Sequence, residues 1–191
     1  WRFVNVIGNL DGEAKDIDPA GDPGYVVWED SAAIINISGT VYSDEGATPM
    51  GITVCDGITK SIELSIAGLT FASTTCAIGT GAYTFTGISY GLSDTLTVYI
   101  NGEAEKAVTV TQDPVSSISG LDLYQNRVIV RHQSGAPLTI ADMAAWDSDD
   151  DPDVLFDAET TGTDTLVLPA DTKLIVWTGR TFAPNGEVTV S

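Results

Sequence analysis

What this chain has least of is positive charge: eight Lys and Arg residues stand against 27 Asp and Glu, for a formal net charge of −19. A phosphate backbone would be repelled over the whole surface, and no basic stripe interrupts the acidity, so a nucleic-acid partner is excluded. Histidine is limited to His132 and cysteine to Cys55 and Cys76. That supply is too small for a zinc site of usual composition, and a Ser/His/Asp triad would rest entirely on His132. No catalytic or cofactor-binding residue is therefore expected. Long apolar runs are missing too. None approaches the roughly 20 residues of a membrane-spanning helix, so no membrane insertion is expected. The chain begins at Trp1 without Met and lacks the charged and apolar blocks of a signal peptide, which reads as a mature or processed product.

What is present is the material of β-structure. Of the 191 residues 43% are hydrophobic, enough to fill a core, and Gly reaches 19. Short runs of Val, Ile, Thr and Tyr alternate with turn residues, the profile of an all-β protein. The expected layout is an N-terminal strand and acidic connector over residues 1–33, a β-sandwich over 34–111, a Pro- and Ser-containing linker over 112–119, and a second β domain over 120–191. The fold class is thus two small β-sandwich-like domains, the second with one short inserted helix.

The first run, WRFVNVIG, is mostly apolar on both faces: Trp1, Phe3, Asn5 and Ile7 share one, Val4 and Val6 the other. Such a strand needs burial, either in its own subunit or against an identical neighbour. The acidic Gly/Pro stretch from Asp11 to Gly24 reads as a solvated connector. Beyond it follow the strand-like runs IINISGTVYS, GITVC, SIELSIAGLTF, AYTFTGI, DTLTVYI and KAVTVT. Asn101-Gly102 between the last two predicts a hairpin with a type I′ turn, since that turn needs positive φ at both central residues. Cys55 and Cys76 flank the third run. A disulfide there would close a loop of about 20 residues, contribute roughly 3 kcal/mol through the unfolded state, and indicate an oxidising compartment. The alternative is a pair of buried free thiols.

The segment from Gly39 through Thr40, Val41, Tyr42, Asp44, Gly46 and Pro49 to Val54 resembles the opening of carboxypeptidase-regulatory-like domains, which share a transthyretin-like sandwich. Gly81-Ala82-Tyr83-Thr84-Phe85-Thr86-Gly87-Ile88 is similar to that family's second signature. The resemblance covers residues 38–111 and implies a non-catalytic spacer or interaction module of secreted and surface proteins. The C-terminal half, through NRVIVRH and KLIVWTGRTFAPNGEVT, resembles repeats of long bacterial cell-surface proteins.

In that half the strands LDLY, NRVIVRH, TLVLP, KLIVWTG and EVTVS are expected, with a helix of about two turns capped by Thr139, bearing Asp142 at its third position and ending near Asp147. Leu138 and Met143 have the spacing of a hydrophobic staple. The densest charge follows: Asp147, Asp149, Asp150, Asp151 and Asp153, with Asp157 and Glu159 close behind. Alternate Asp residues on a tight loop can converge on one hard cation, and calcium at Asp147, Asp149, Asp151 and Asp153 is the expected metal site; a solvated loop is the alternative. Pro152 and Ala158 stand where an EF-hand requires Gly and Glu, so the loop is not an EF-hand. His132 reads as a half-buried strand residue. Asn36-Ile37-Ser38 fits a glycosylation sequon within a strand.

No enzyme is expected. The functional expectation is an extracellular or cell-surface structural subunit or module of a filament or other assembly, its partners being identical subunits or neighbouring repeats joined by strand donation from a terminus. The alternative is a sugar- or protein-binding adhesin module, with glycans as partners.

Overall fold

The computed structural model describes residues 15–16, 25–26, 33–91, 93–112, 116–133 and 136–191. The expected strand of residues 1–7 lies outside them. The chain forms two compact units, residues 1–32 and 33–191. In the first, β1 (Lys15–Asp16) pairs antiparallel with β2 (Tyr25–Val26), within and just beyond the stretch expected to be an irregular connector.

The second unit is all β apart from one short helix, as its composition predicts. Its central element is a six-stranded sheet in the order β13 (Lys173–Val176), β10 (Arg127–Val130), β8 (Val108–Gln112), β7 (Thr95–Ile100), β4 (Ile62–Ile66) and β5 (Leu69–Thr74). A second sheet places β3 (Ala33–Tyr42) between β6 (Ala82–Tyr90) and β9 (Leu123–Tyr124), and a third places β12 (Thr165–Leu168) between β11 (Asp157–Glu159) and β14 (Glu187–Val190). The boundary expected at 112–119 falls inside this unit. The reason is a parallel ladder in which Val128, Ile129 and Val130 of β10 pair with Val108, Thr109 and Val110 of β8, so one sheet draws strands from both halves of the chain.

Strand alternation explains how the layers adhere. Ile62, Leu64 and Ile66 of β4 and Leu96, Val98 and Ile100 of β7 join Ile35, Ile37 and Val41 of β3 and Tyr83 and Phe85 of β6 in one hydrophobic cluster. The opposite face of the same sheet contributes Tyr99, Val108, Val110, Val128 and Val130 to a second cluster with Ile140, Met143, Phe156, Leu166 and Leu168. Strands β7 and β8 are thereby buried on both faces. The chain leading into β9 runs so close beside β3 that Gly39 is needed there: a Cβ would lie 2.0 Å from the Leu121 carbonyl oxygen.

The β7–β8 hairpin forms as expected, with Tyr99 opposite Val108 and Thr97 opposite Val110. Its connection differs. Asn101 donates its backbone N–H to Ser61 O, and the loop runs on until Ile100 donates to Ala107 O. The two-residue turn with positive φ at both positions occurs instead at Ala67 (47°) and Gly68 (78°), which divides SIELSIAGLTF into the β4–β5 hairpin. The run GITVC is a turn rather than a strand, because Val54 and Cys55 both donate to Gly51 O.

Helix α1 (Ile140–Met143) has the expected capping box: the Thr139 hydroxyl accepts from the Asp142 N–H, and the Asp142 carboxylate accepts from the Thr139 N–H. It makes one turn instead of two. Leu138 and Met143 are both fully buried in the second cluster, where a staple would place them.

Candidate functional site

The acidic run begins where α1 ends, and its residues have separate tasks. Asp147 is buried, its carboxylate accepting the N–H groups of Asp149 at 3.0 Å and Ala158 at 3.2 Å, while its carbonyl accepts from Asp150 and Asp151. Burial raises its pKa above the ordinary carboxylate value, against those two hydrogen bonds. Asp151 accepts the Asp153 N–H on one oxygen and the Tyr99 hydroxyl, at 2.9 Å, on the other. Asp153 accepts from the Lys106 ammonium and the Gly102 N–H. The run therefore straps the end of the helix segment to the β7–β8 loop.

The four alternate aspartates expected to hold calcium differ in their partners. Asp147, Asp151 and Asp153 spend their oxygens on backbone, phenol and ammonium donors. Of the four only Asp149 joins a carboxylate group with metal-ligand spacing, and its companions are Asp157 and Glu159, the three offering oxygens within 4.8 Å of one another. Burial, then the charges of Asp149 and Glu159, push the Asp157 pKa up. One Asp157 oxygen is inaccessible and has no hydrogen-bond donor among the described residues. The chain's hairpin return through β11 brings Asp157 and Glu159 back beside Asp149, a return the sequence pattern did not reveal.

Beneath the strap lies a polar cluster that sequence reasoning missed. The Tyr99 hydroxyl, on a fully buried ring, faces Glu63 and Asp151 at 2.9 Å each, and the Asn101 amide donates to the second Glu63 oxygen. A phenol carries a single proton, so two carboxylates compete for it. Burial and both carboxylates raise the Tyr99 pKa. The legible signal was a charged residue at a strand position, Glu63 in IELSI, where the register places it opposite Tyr99.

His132 is buried, and its Nε2 accepts the Thr181 N–H at 3.0 Å, a structural placement. Asn36 is exposed at a bulge in β3, with its side-chain Oδ1 accepting the Gly87 N–H. Cys55 and Cys76 form the expected disulfide, with Cα atoms 4.6 Å apart. A shallow cavity of about 210 Å³ beside Asp157 is lined by Ser148, Val154, Phe156, Val167, Pro169 and Ser191. It is smaller than the several hundred Å³ of a typical ligand pocket.

The sheet edges differ in how they meet solvent. At β13, Lys173 pairs with Glu45 at 3.0 Å, Arg127 of the adjoining β10 reaches the same carboxylate at 2.8 Å, and Arg131 lies over the Trp177 ring at 5.1 Å. Lys173 and Arg127 together hold the Glu45 pKa down. Tyr42, Tyr124 and Trp177 form an aromatic row on this side, with ring centroids 5.7 and 6.5 Å apart. At β5 no charged side chain is present, and Leu69 and Phe71 are 72% and 49% exposed. Edge strands are ordinarily guarded by charge, which here protects one end of the sheet and not the other.

Comparison with protein-family models, curated proteins and solved structures gives no match for this chain.

Proposed function

We propose that this chain is a non-catalytic structural subunit or module of an extracellular filament or cell-surface assembly, joined to its neighbours by strand addition. The observation that carries the reading is the β5 edge: the last strand of its sheet among the described residues, with no charged side chain and with exposed Leu69 and Phe71. Main-chain groups on such an edge supply affinity, and apolar side chains supply register. A single acceptor edge used by a terminal strand of the next copy is a head-to-tail contact, which grows rather than closes. The disulfide supports an oxidising location, and the resemblance to carboxypeptidase-regulatory-like modules and to repeats of bacterial surface proteins supports a spacer role. Negative-stain microscopy of concentrated protein tests it: uniform fibres or arrays are expected, and dispersed monomers at every concentration would overturn it.

In the same reading calcium binds at Asp149, Asp157 and Glu159, where three carboxylates crowd one point and a buried Asp157 oxygen has no donor among the described residues. Added calcium should then raise the melting temperature. Identical melting curves in calcium and in chelator would remove the metal from the account.

A second reading, an adhesin module that binds sugar, draws on the row Tyr42, Tyr124 and Trp177 with Arg131 beside it, since aromatic faces stack on sugar rings. Glycan binding abolished by Trp177→Ala would favour this reading over the first.

A further inference from the structure

From Leu64 to Ser93 the chain contains no Asp, Glu, Lys, Arg or His, although acidic residues are frequent elsewhere. The fold makes this stretch one flank of the molecule. It contains β5, the last strand of the six-stranded sheet, and β6, the last strand of the β6-β3-β9 sheet, and the two strands approach each other in space. Along β5 the exposed side chains are Leu69, Thr70, Phe71 and Ser73, and along β6 they are Ala82, Thr84, Thr86 and Ser89. Two edge strands thus lie together on an uncharged, Thr-rich surface bearing two exposed large apolar groups. A β-bulge between Leu64 and Ser65 places Phe71 outside the regular pairing with β4.

We infer that this flank is where a second copy of the chain docks, with residues 1–7 of that copy added as a strand along β5. The inference rests on the strand-addition reading above and names its two partners. Charge selects the surface: copies that each carry −19 repel one another, and the repulsion is least where the facing groups carry none. Composition and pairing select the donor. Strand β14 is already paired in its own chain, Glu187 to Val190 lying parallel to Thr165 to Leu168. Residues 1–7 are a further run with strand composition, and their only charged side chain is Arg2. Trp1, Phe3 and Ile7 fall on one face of an extended chain and Val4 and Val6 on the other, so strand addition offers both sets an apolar neighbour.

Hydrogen exchange of the full chain at dilute and at concentrated protein, followed peptide by peptide, tests this, with sedimentation velocity on the same samples. Amides of residues 1–7 and 69–74 should gain protection together as the sedimentation coefficient rises. The double variant Leu69→Lys, Phe71→Lys alters only exposed side chains; it should keep its melting temperature and need roughly tenfold or more protein to assemble. If the wild type assembles while new protection appears at residues 173–176 or 187–190 instead, the docking assignment fails and the structural-subunit reading stands. Protection of the 69–74 amides that face away from β4, if it does not depend on concentration, would place the added strand within one chain and overturn the inference. A wild type that stays monomeric throughout would overturn the inference and the reading together.

Discussion

The two ends of the six-stranded sheet are built from strands of similar apolar character and meet water in opposite ways. At β13, Lys173 and Arg127 share Glu45, while Arg131 covers Trp177, so approach of another strand would have to displace charge. At β5 there is no charged side chain to displace. An edge without charge invites pairing and is ordinarily avoided. Its presence in a chain with 27 acidic residues shows that charge is distributed unevenly, the run from Leu64 to Ser93 carrying none. The lesson concerns distribution: a net charge of −19 does not fall evenly along the chain, and the proposed contact uses a stretch that carries none of it.

The comparison can be sharpened first at the disulfide, which anchors Cys76, just beyond β5, to the segment after β3. Replacing both cysteines, Cys55→Ser with Cys76→Ser, should cost roughly 2 to 5 kcal/mol in denaturant unfolding, the largest single effect expected. Next comes the polar cluster between β4, β7 and the acidic strap. Tyr99→Phe removes the hydroxyl that serves Glu63 and Asp151 and should cost about 1 to 3 kcal/mol by the same measurement. A neutral result there would mean that water replaces the phenol freely.

Smaller effects separate the charged groups by sign. The Asp157 pKa is raised in the folded chain, so the folded state holds that proton more tightly than the unfolded state. Its contribution to stability is present in acid and lost as pH rises through the raised value. Asp157→Asn should therefore raise the melting temperature at neutral pH without divalent cation, and the advantage should vanish in acid. Asp44 behaves oppositely. Hydrogen bonds from Thr48 and Ala47 lower its pKa to about 2, so its contribution is present above the model-peptide value of 3.8 and is lost as pH falls through about 2. Melting curves of Asp44→Asn across that range should converge with wild type only at the acid end.

How much of this could be read from the residues varies with the range of the interaction. The β7–β8 pairing, the Thr139–Asp142 capping box and the Cys55–Cys76 bond were legible because each is signalled by residue types at short or fixed spacing. The parallel pairings of β8 with β10, β10 with β13 and β12 with β14 were not, since parallel strands need long connections and no turn residue marks them. They are what place strands from both sides of the 112–119 segment in one sheet. The carboxylate group shows the same limit. Density of Asp marked the loop, but which oxygens face one another depends on β11 returning beside it and on the strap engaging Tyr99, Gly102 and Lys106. The Asn101-Gly102 signal predicted a hairpin correctly and its turn incorrectly, because Asn101 and Gly102 donate their N–H groups to Ser61 and Asp153 outside the turn.

The contrast between the two edges is the central claim, and matched lysine substitutions on exposed apolar residues test it most directly. Phe71→Lys on β5 and Val176→Lys on β13 introduce the same charge at side chains 49% and 41% exposed, so burial does not distinguish them. Sedimentation velocity of both variants beside wild type should show assembly weakened by Phe71→Lys and unchanged by Val176→Lys. Equal weakening by both substitutions, or loss of assembly only with Val176→Lys, would contradict the assignment of β5 as the open end of the sheet.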